Sequence, residues 1–312
     1  YVRVCATGAT DDGRGLGGIQ KCANPCQIRH GSISYDARAA IQLGKQPIRK
    51  YTARLRTTNP SSSALYQWYP TTLQLAVAVV KYKTRLQKPR EGTATSWLAR
   101  LIPGTCIPVR LQTGTLLPPA HSTTPVLAIG PGTGIAPLRS LVYERLATYL
   151  AENNAESHIT TNTPTASNPG ADECPGSNDQ ARTTSIHPPT LAETLVIFGC
   201  RYQAKDCLYG AEWKRWATTS HANLTYVVAA SRDQPEKVYV QHRIRENGAR
   251  IWDMLGPHRG IAYLCGTSGK MPEQVKQSIV DVFVEHGHMN VDQAVRYLTT
   301  LEAERRWQEE CW

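Results

Sequence analysis

Short apolar runs alternate with amphipathic stretches through the second half of the chain. The runs PVLAIG, TLVIFGCR, LTYVVAAS and GIAYLCG have the length and composition of buried strands. Alternating strand and helix patterns predict a parallel sheet with crossover helices. The predicted strands are 125–130, 194–201, 224–231 and 260–266, and the predicted helices are 138–150, 208–216, 240–255, 271–287 and a last one from about Asn290 to Trp307.

The first 120 residues have a different pattern, rich in strand signals and poor in helices. Segments 73–84 and 106–119 predict strands of an antiparallel barrel, with a short helix over 93–101 between them. Residues 1–27 match no element, so the barrel is expected to be incomplete. The fold class is therefore α/β plus all-β, with a barrel domain over 28–120 and a parallel-sheet α/β domain over 125–312.

Residues 152–190 interrupt the second domain with a stretch dense in Asn, Thr, Ser, Pro and Gly. Such a composition buries too little apolar surface to offset the entropy of ordering the chain. We expect a disordered surface insertion there.

Composition narrows the class of protein. The 312 residues are 41% hydrophobic and carry a net charge of +10. We expect a protein with a core and no membrane span or secretory signal.

Residues 1–110 hold 17 Lys and Arg against 4 Asp and Glu, so the positive charge belongs to the first third. Such a surface suits nucleic acid, anionic lipid or an acidic protein. The first residue, Tyr1 rather than Met, indicates a fragment.

The nine cysteines are odd in number and widely spaced, which favours reduced thiols and a cytoplasmic location. Cys22 and Cys26, with Cys5 upstream, resemble three metal ligands. No fourth ligand follows at a recognisable spacing, so we predict no metal site.

A glycine-rich turn in IGPGTGIAPLRSL (129–141) follows a predicted strand and opens a predicted helix. Glycines allow the backbone to approach a phosphate, and the free N–H groups of the helix start bind its charge. Tight turns also need glycine, but the strand–turn–helix context favours a nucleotide.

A second candidate, SRDQPEKVYVQ (231–241), stands at the carboxyl end of a predicted strand, where open α/β sheets bind ligands. Arg232 and Lys237 supply positive charge, Ser231 a hydroxyl and Tyr239 a ring that stacks on adenine. A nucleotide with a 2′-phosphate uses all four. A solvated loop with ordinary charges is the alternative if the segment is taken alone.

Cys265, in LCGTSGKMP (264–272), also ends a predicted strand, and the chain closes with EECW. A thiol beside a carboxylate can assist a redox ring, although a lone cysteine of this kind is more often a small buried hydrophobe. Trp312 is either a frayed terminus or a flat indole that stacks on a flavin.

These blocks, in this order, resemble the reductase half of the diflavin reductases, relatives of ferredoxin–NADP reductase. GPGTGIAPLRS resembles the pyrophosphate turn, FGCR (198–201) a nicotinamide-side motif, SRDQPEKVYVQ the 2′-phosphate site and CGTSGKMP the catalytic-cysteine loop. The segments 81–101 and 237–248 and the ending ECW are most similar to the branch that works in cytosolic iron–sulfur cluster assembly.

The resemblance implies NADPH and FAD as cofactors. It implies that Cys265, Glu310 and Ser32 flank the hydride path, with Glu310 where other members carry Asp. FAD would be bound by Arg29, Ser32, Gly92, Thr93, Ala94, Thr95 and Trp312. NADPH would be bound by Gly130, Gly132, Thr133, Gly134, Cys200, Arg201, Ser231, Arg232, Lys237, Tyr239, Gln241 and Met271.

The resemblance also implies an FMN on a flavodoxin-like domain absent from this chain, and an anamorsin-type iron–sulfur protein as acceptor. Gly31 stands where the family has an aromatic that stacks on flavin, and 34–70 fits the family poorly. Two alternatives therefore stay open. One is an NADPH-binding module without retained FAD, and the other, supported by charge alone, is nucleic-acid binding.

Overall fold

A computed structural model describes residues 2–6, 32–43, 46–55, 72–84, 88–102, 105, 107–113, 115–159, 191–219 and 222–312. Side chains are described from residue 75 onward, except in 107–113 and 151–159.

The first third forms an antiparallel sheet, as predicted. Its strands pair in the order β1, β7, β2, β3, β4, and β5 pairs separately with β6. The helix predicted over 93–101 is present as α1. Closure of this sheet into a barrel stays a prediction. The elements are β1 Val2–Ala6, β2 Ser32–Leu43, β3 Gln46–Leu55, β4 Thr72–Ala78, β5 Lys81–Lys83, β6 Pro89–Glu91, α1 Thr93–Arg100 and β7 Ile107–Thr113.

The first third departs from its predicted elements in two places. Residues 1–27 match no predicted element, yet β1 pairs with β7 at the edge of the sheet. Residues 34–70 contain much of a long hairpin, β2 with β3, whose register shifts between Arg38 and Ala40. A strand signal is present in SISYDARA (32–39), which alternates polar and apolar residues, but the prediction did not use it.

The second part is a parallel five-stranded sheet in the order β10, β9, β8, β11, β12. The first five residues of β8 are all buried, which is typical of a parallel strand covered on both faces. The predicted α/β domain is therefore present. The strands are β8 Val126–Pro131, β9 Thr194–Cys200, β10 Leu224–Ala230, β11 Ile261–Gly266 and β12 Trp307–Cys311.

Helices cover both faces of this sheet. Leu127 and Ile129 of β8 pack in one apolar cluster, whereas Val126 and Ala128 pack in the other, as the alternation of a strand requires. A short 3₁₀ turn, Gly132–Gly134, joins β8 to the first helix. The helices are α2 Ile135–Ile159, α3 Gln203–Asp206, α4 Gly210–Ala217, α5 Val240–Glu246, α6 Gly248–Leu255, α7 Lys270–His286 and α8 Val291–Ala303.

The prediction of a single helix over 240–255 is wrong, because Asn247 interrupts it and divides it into α5 and α6. The Asn247 amide donates to the carbonyl oxygen of Arg243 at 2.8 Å, which satisfies a group at the end of α5. The next residue, Gly248, lies so close to α7 that a Cβ there would collide with the His286 ring.

The predicted last helix is also too long. It ends at Ala303 rather than near Trp307, and Arg305 follows with a positive φ of 56°. The buried Arg306 side chain donates to the carbonyl oxygens of Gly260, at 3.2 Å, and Leu255. These bonds turn the chain into β12, an edge strand whose polar sequence gives no strand signal.

The predicted insertion begins too early. Helix α2 continues through Ile159, because Ala151, Glu152, Ala155 and Glu156 are good helix formers. Residues 160–190 lie outside the described residues, so disorder there stays a prediction. Of the helices that are described, none has the length and hydropathy of a membrane-spanning segment.

Candidate functional site

The carboxyl ends of five parallel strands bring most of the predicted site residues to one edge of the sheet. Because the strands are parallel, the segments that follow them emerge on the same side. Across the sheet these segments begin at Ser231, Arg201, Gly132, Thr267 and Trp312. The predicted phosphate turn, 2′-phosphate loop and cysteine loop are thus neighbours in space, although Gly132 and Trp312 are 180 positions apart in the sequence.

The glycine-rich turn is packed where it meets β11 and open where it faces outward. A Cβ on Gly134 would run into the carbonyl oxygen of Cys265, and one on Gly130 would lie 2.9 Å from the backbone nitrogen of Ile135. Gly132 has a φ of +62° and nothing within 4 Å of its Cβ position. Two glycines therefore allow close packing, while Gly132 leaves room for a bound group.

The start of the 231–241 loop is fixed to the neighbouring strand. The backbone N–H of Ser231 donates to the carbonyl oxygen of Cys200 at 2.9 Å, and that of Arg232 donates to Arg201 at the same distance. The Ser231 hydroxyl also donates to Cys200, at 3.1 Å. Ser231, Arg232, Cys200 and Arg201 therefore form one group at this edge.

The cationic side chains of this loop are exposed to solvent. Within the described ranges, neither Arg232 nor Lys237 forms an ion pair, and both are exposed. Tyr239 is 47% exposed at the start of α5. Such a set of unpaired cations beside an accessible ring fits an adenosine carrying an extra phosphate.

Gln241 and Met271 lie near the loop and the turn, in less accessible positions. The amide nitrogen of Gln241 donates to Gln274 at 3.1 Å, while its amide oxygen is buried without a described partner. The Met271 side chain lies against Gly266, where an added Cβ would be 2.9 Å from the methionine methyl carbon. The predicted NADPH contacts of both residues remain predictions.

Cys265 and Glu310 are directly opposite each other in the parallel pair β11 and β12. Cys265 is fully buried, and this burial, reinforced by the Glu310 carboxylate, raises the pKa of its thiol well above the ordinary value. The Glu310 carboxylate accepts a hydrogen bond from the Thr115 hydroxyl at 3.3 Å. The structure thus places the predicted thiol and carboxylate at opposed positions on neighbouring strands, and the thiol is held in its protonated form.

Cys200 is also held protonated. Burial, together with the nearby Cys207, Asp206 and Asp233, raises the pKa of its thiol to about 12. A thiol with so high a pKa is a poor nucleophile, so the predicted contact with NADPH would be through its main chain or as a neutral group.

Trp312 is not a frayed terminus. Its backbone N–H donates to the carbonyl oxygen of Gly266 at 3.0 Å, and its own carbonyl accepts from Ser268 at 2.8 Å. The indole is 50% exposed. The main chain of the last residue therefore continues the sheet beside Cys265, while its ring remains accessible for stacking.

The predicted FAD segment is only partly described. Gly92 precedes α1, whose N-terminal N–H groups have no capping side chain, and Thr93 and Ala94 are exposed. The Thr95 hydroxyl accepts from the Val80 backbone N–H at 3.1 Å and donates to the Gly92 carbonyl oxygen at 3.3 Å, and its predicted FAD contact stays a prediction. Arg29 lies outside the described residues, and so does the side chain of Ser32.

Asp233 and Gln234 hold the loop in place, although neither was among the predicted site residues. The Asp233 carboxylate accepts from the Gln203 backbone at 2.9 Å, at the start of α3. The Gln234 amide donates to the carbonyls of Ala230, at 2.6 Å, and Glu236, at 2.9 Å. Asp and Gln are common in loops, so no sequence signal distinguishes these two from solvated residues.

No metal-ligand group of three or more His, Cys, Asp or Glu side chains occurs in the described ranges. Cys22 and Cys26, the residues considered as ligands, lie outside them.

Comparison with known proteins finds a matching family model and several relatives of this chain. A family model described as an oxidoreductase NAD-binding domain matches residues 179–277. Proteins named NADPH-dependent diflavin oxidoreductase 1 are 34% identical in Xenopus laevis, over 78% of this chain and 34% of the relative, and 38% identical in Mycosarcoma maydis, over 78% and 31%. The relative from Mus musculus is 34% identical over 78% and 34%.

The chain therefore spans about one third of the length of the curated relatives it matches. The resemblance to the diflavin reductases, based on short motifs in the sequence, is confirmed over most of the chain.

Proposed function

We propose, on the premise of this homology, that the chain is the NADPH- and FAD-binding part of a diflavin oxidoreductase. It would bind NADPH at the carboxyl edge of the parallel sheet and FAD against the antiparallel sheet. The observation that carries this proposal is the meeting of the glycine turn, the Arg232 loop and the Cys265–Glu310 pair at one edge.

The residues at this edge suit NADPH in their chemistry. The open backbone at Gly132 would admit the pyrophosphate, whose charge the start of α2 would favour. The guanidinium of Arg232 and the ammonium of Lys237 would bind the 2′-phosphate, with the Ser231 hydroxyl beside them. The exposed ring of Tyr239 would stack on the adenine.

Hydride transfer from the nicotinamide of NADPH to FAD is the chemistry that the two cofactors supply. The chain's own part is to align them. Cys265, as a neutral thiol, would lie beside the nicotinamide without adding negative charge, and the Glu310 carboxylate would supply that charge at the edge of the site. Trp312 would cover the position of the flavin ring and would have to move aside for the nicotinamide.

The FAD pyrophosphate would lie at the start of α1, against the backbone of Gly92, Thr93 and Ala94. Thr95 would act indirectly, by holding the start of α1 to Val80. We propose Arg29 and Ser32 as further FAD contacts on the resemblance alone.

Single electrons would then pass to an FMN domain and onward to an anamorsin-type iron–sulfur protein in the cytoplasm. The distribution of charge supports a protein partner, because the excess of Lys and Arg in residues 1–110 suits an acidic flavodoxin-like surface. This role in iron–sulfur cluster assembly rests on the resemblance.

The test is NADPH-dependent reduction of ferricyanide by the purified chain supplied with FAD. We expect activity with NADPH and at least about tenfold less at equal concentrations of NADH, which lacks the 2′-phosphate. A folded chain that binds FAD but reduces no ferricyanide would refute the proposal.

The second candidate, an NADPH-binding module that retains no FAD, is favoured by Gly31 in place of the flavin-stacking aromatic. The two candidates differ in one result. A chain that is retained on immobilised 2′,5′-ADP but binds no added FAD supports the module, whereas retention together with bound flavin supports the reductase.

A further inference from the structure

His242 contacts Tyr239 through both its side chain and its main chain. The backbone N–H of Tyr239 donates to Nδ1 of His242 at 3.0 Å, and the Tyr239 carbonyl oxygen accepts from the His242 backbone N–H at the same distance. The backbone of Tyr239 is extended, so α5 begins only at the next residue. The side chain of His242 thus holds the N–H of Tyr239, while the Tyr239 carbonyl accepts from the backbone N–H groups of His242 and, at 3.5 Å, of Arg243.

The His242 ring also contacts the Tyr239 ring. The two centroids are 6.1 Å apart and the planes are 29° from parallel. Among the described residues, Tyr239 makes no other aromatic contact. One residue therefore restrains both the main chain and the ring of Tyr239, although that ring is half exposed.

With this restraint at Tyr239, the 231–241 loop is held at both of its ends. At the other end, Ser231 and Arg232 are bonded to the strand beside them, and Gln234 bonds the loop to itself. An exposed ring on an unrestrained loop loses conformational entropy when it binds a ligand, and a ring already held in place loses less. Restraint at Tyr239 therefore improves affinity without any contact to the ligand.

We propose that His242 is a positioning residue of the adenosine 2′-phosphate site, which holds Tyr239 ready to stack on adenine. The inference rests on the proposed function, since it assumes that the loop binds this nucleotide. It predicts that His242 acts through Tyr239 and not through the phosphate.

Two substitutions separate the parts of this contact. His242→Ala removes both the acceptor and the ring, whereas His242→Gln retains an acceptor at the helix position where Glu or Gln commonly bonds to the preceding backbone. We expect His242→Ala to weaken binding of 2′,5′-ADP about five- to tenfold in calorimetry. His242→Gln should recover at least half of this loss on a logarithmic scale. His258→Ala, at an exposed histidine that faces Asp253, is the matched control and should bind as the wild type does.

A readout without nucleotide tests the same contact. Hydrogen exchange of the Tyr239 amide should accelerate about tenfold in His242→Ala and return near the wild-type rate in His242→Gln. A structural role elsewhere in α5 would not be rescued in this way.

A double-mutant cycle tests the route of action. In a Tyr239→Ala background, His242→Ala should cause no further loss of affinity. The proposal is overturned if His242→Ala binds 2′,5′-ADP as well as the wild type, or if its loss is equally large without the Tyr239 ring. A wild-type chain that does not bind 2′,5′-ADP would instead refute the proposed function, and the amide exchange would still show whether His242 holds Tyr239.

Discussion

Arg232 is the residue on which the nucleotide preference of the proposed site depends most. Its backbone is fixed to Arg201 while its guanidinium is exposed and, in the described part of the chain, unpaired. A guanidinium in this state can form two parallel hydrogen bonds to a phosphate without first breaking an ion pair. The 2′-phosphate is the feature by which NADPH differs from NADH.

Arg232→Ala should therefore weaken binding of 2′,5′-ADP by about ten- to a hundredfold, because a hydrogen bond to a charged group is lost. Binding of 5′-ADP, which has no 2′-phosphate, should stay unchanged. Calorimetry with both ligands measures the difference. Arg215→Ala, at an exposed arginine on α4, is the control. An equal loss for the two ligands would place Arg232 outside the 2′-phosphate site.

Burial determines the protonation state of the Cys265 thiol. This thiol has a raised pKa in the folded chain, whereas the ordinary value is 9.0. Below pH 9 the thiol is protonated in both states, and its contribution to stability is fully present. As the pH rises above 9, the unfolded chain loses this proton and the folded chain keeps it, so stability falls.

Urea unfolding at pH 8 and at pH 10 measures this effect. One retained proton corresponds to about 1.4 kcal/mol of lost stability for each pH unit above the ordinary pKa. Cys265→Ala should lose less stability than the wild type over this interval, by up to that amount. An identical fall in the two proteins would show that the Cys265 thiol is not held protonated by the fold.

The sequence identified these residues, but it did not predict their hydrogen bonds, their burial or their protonation. SRDQPEKVYVQ and LCGTSGKMP contain the groups that the structure brings to one edge. The bonds of Asp233, Gln234 and His242 depend on the conformation of the loop, which short motifs do not encode. The burial of Cys265 and its position opposite Glu310 depend on strand pairing between residues distant in sequence.

At the scale of elements, the glycine turn between β8 and α2 sets how closely the phosphate-binding backbone approaches β11. Gly134 and Gly132 have different constraints. Gly134 faces the Cys265 carbonyl, where no side chain fits, whereas Gly132 has open space but a positive φ.

Substitution of these two glycines should separate the constraints. Gly134→Ala should destabilise the fold by about 3 kcal/mol, because the added methyl meets backbone that cannot move aside. Gly132→Ala should cost about 1 kcal/mol, which is the penalty for an L-residue in the left-handed region. Chemical denaturation of the matched pair measures both. Equal costs would contradict the close approach of the turn to β11.

Other elements show where periodicity is informative. Apolar runs predicted β8, β9, β10 and β11 within a residue or two, because a strand buried on both faces has a strong composition signal. The break at Asn247 and the edge strand β12 were missed. Both depend on tertiary contacts, of Gly248 with α7 and of Arg306 with Gly260, that no local pattern contains.

At the scale of the whole chain, the net charge of +10 is a balance of +13 for residues 1–110 and −3 for the remainder. The proposed FAD-binding part is thus strongly basic, and the NADPH-binding part is nearly neutral. Opposite charge on an electron acceptor increases the rate of encounter, and salt screens this effect.

Electron transfer from the reduced chain to an acidic flavodoxin-type domain should therefore slow about tenfold between low and high ionic strength. Stopped-flow absorbance measures the rate, and an uncharged quinone is the control acceptor, whose reduction should change little. A rate that does not depend on salt for either acceptor would show that the basic first third does not attract an acidic protein partner.

Anaerobic spectrophotometric titration of the FAD-supplied chain measures whether it takes a hydride from NADPH onto FAD. NADPH should bleach the visible band of the bound flavin at close to one equivalent, and the same amount of NADH should leave most of it unchanged. Bound flavin that NADPH does not bleach would refute hydride transfer from NADPH to FAD in this chain.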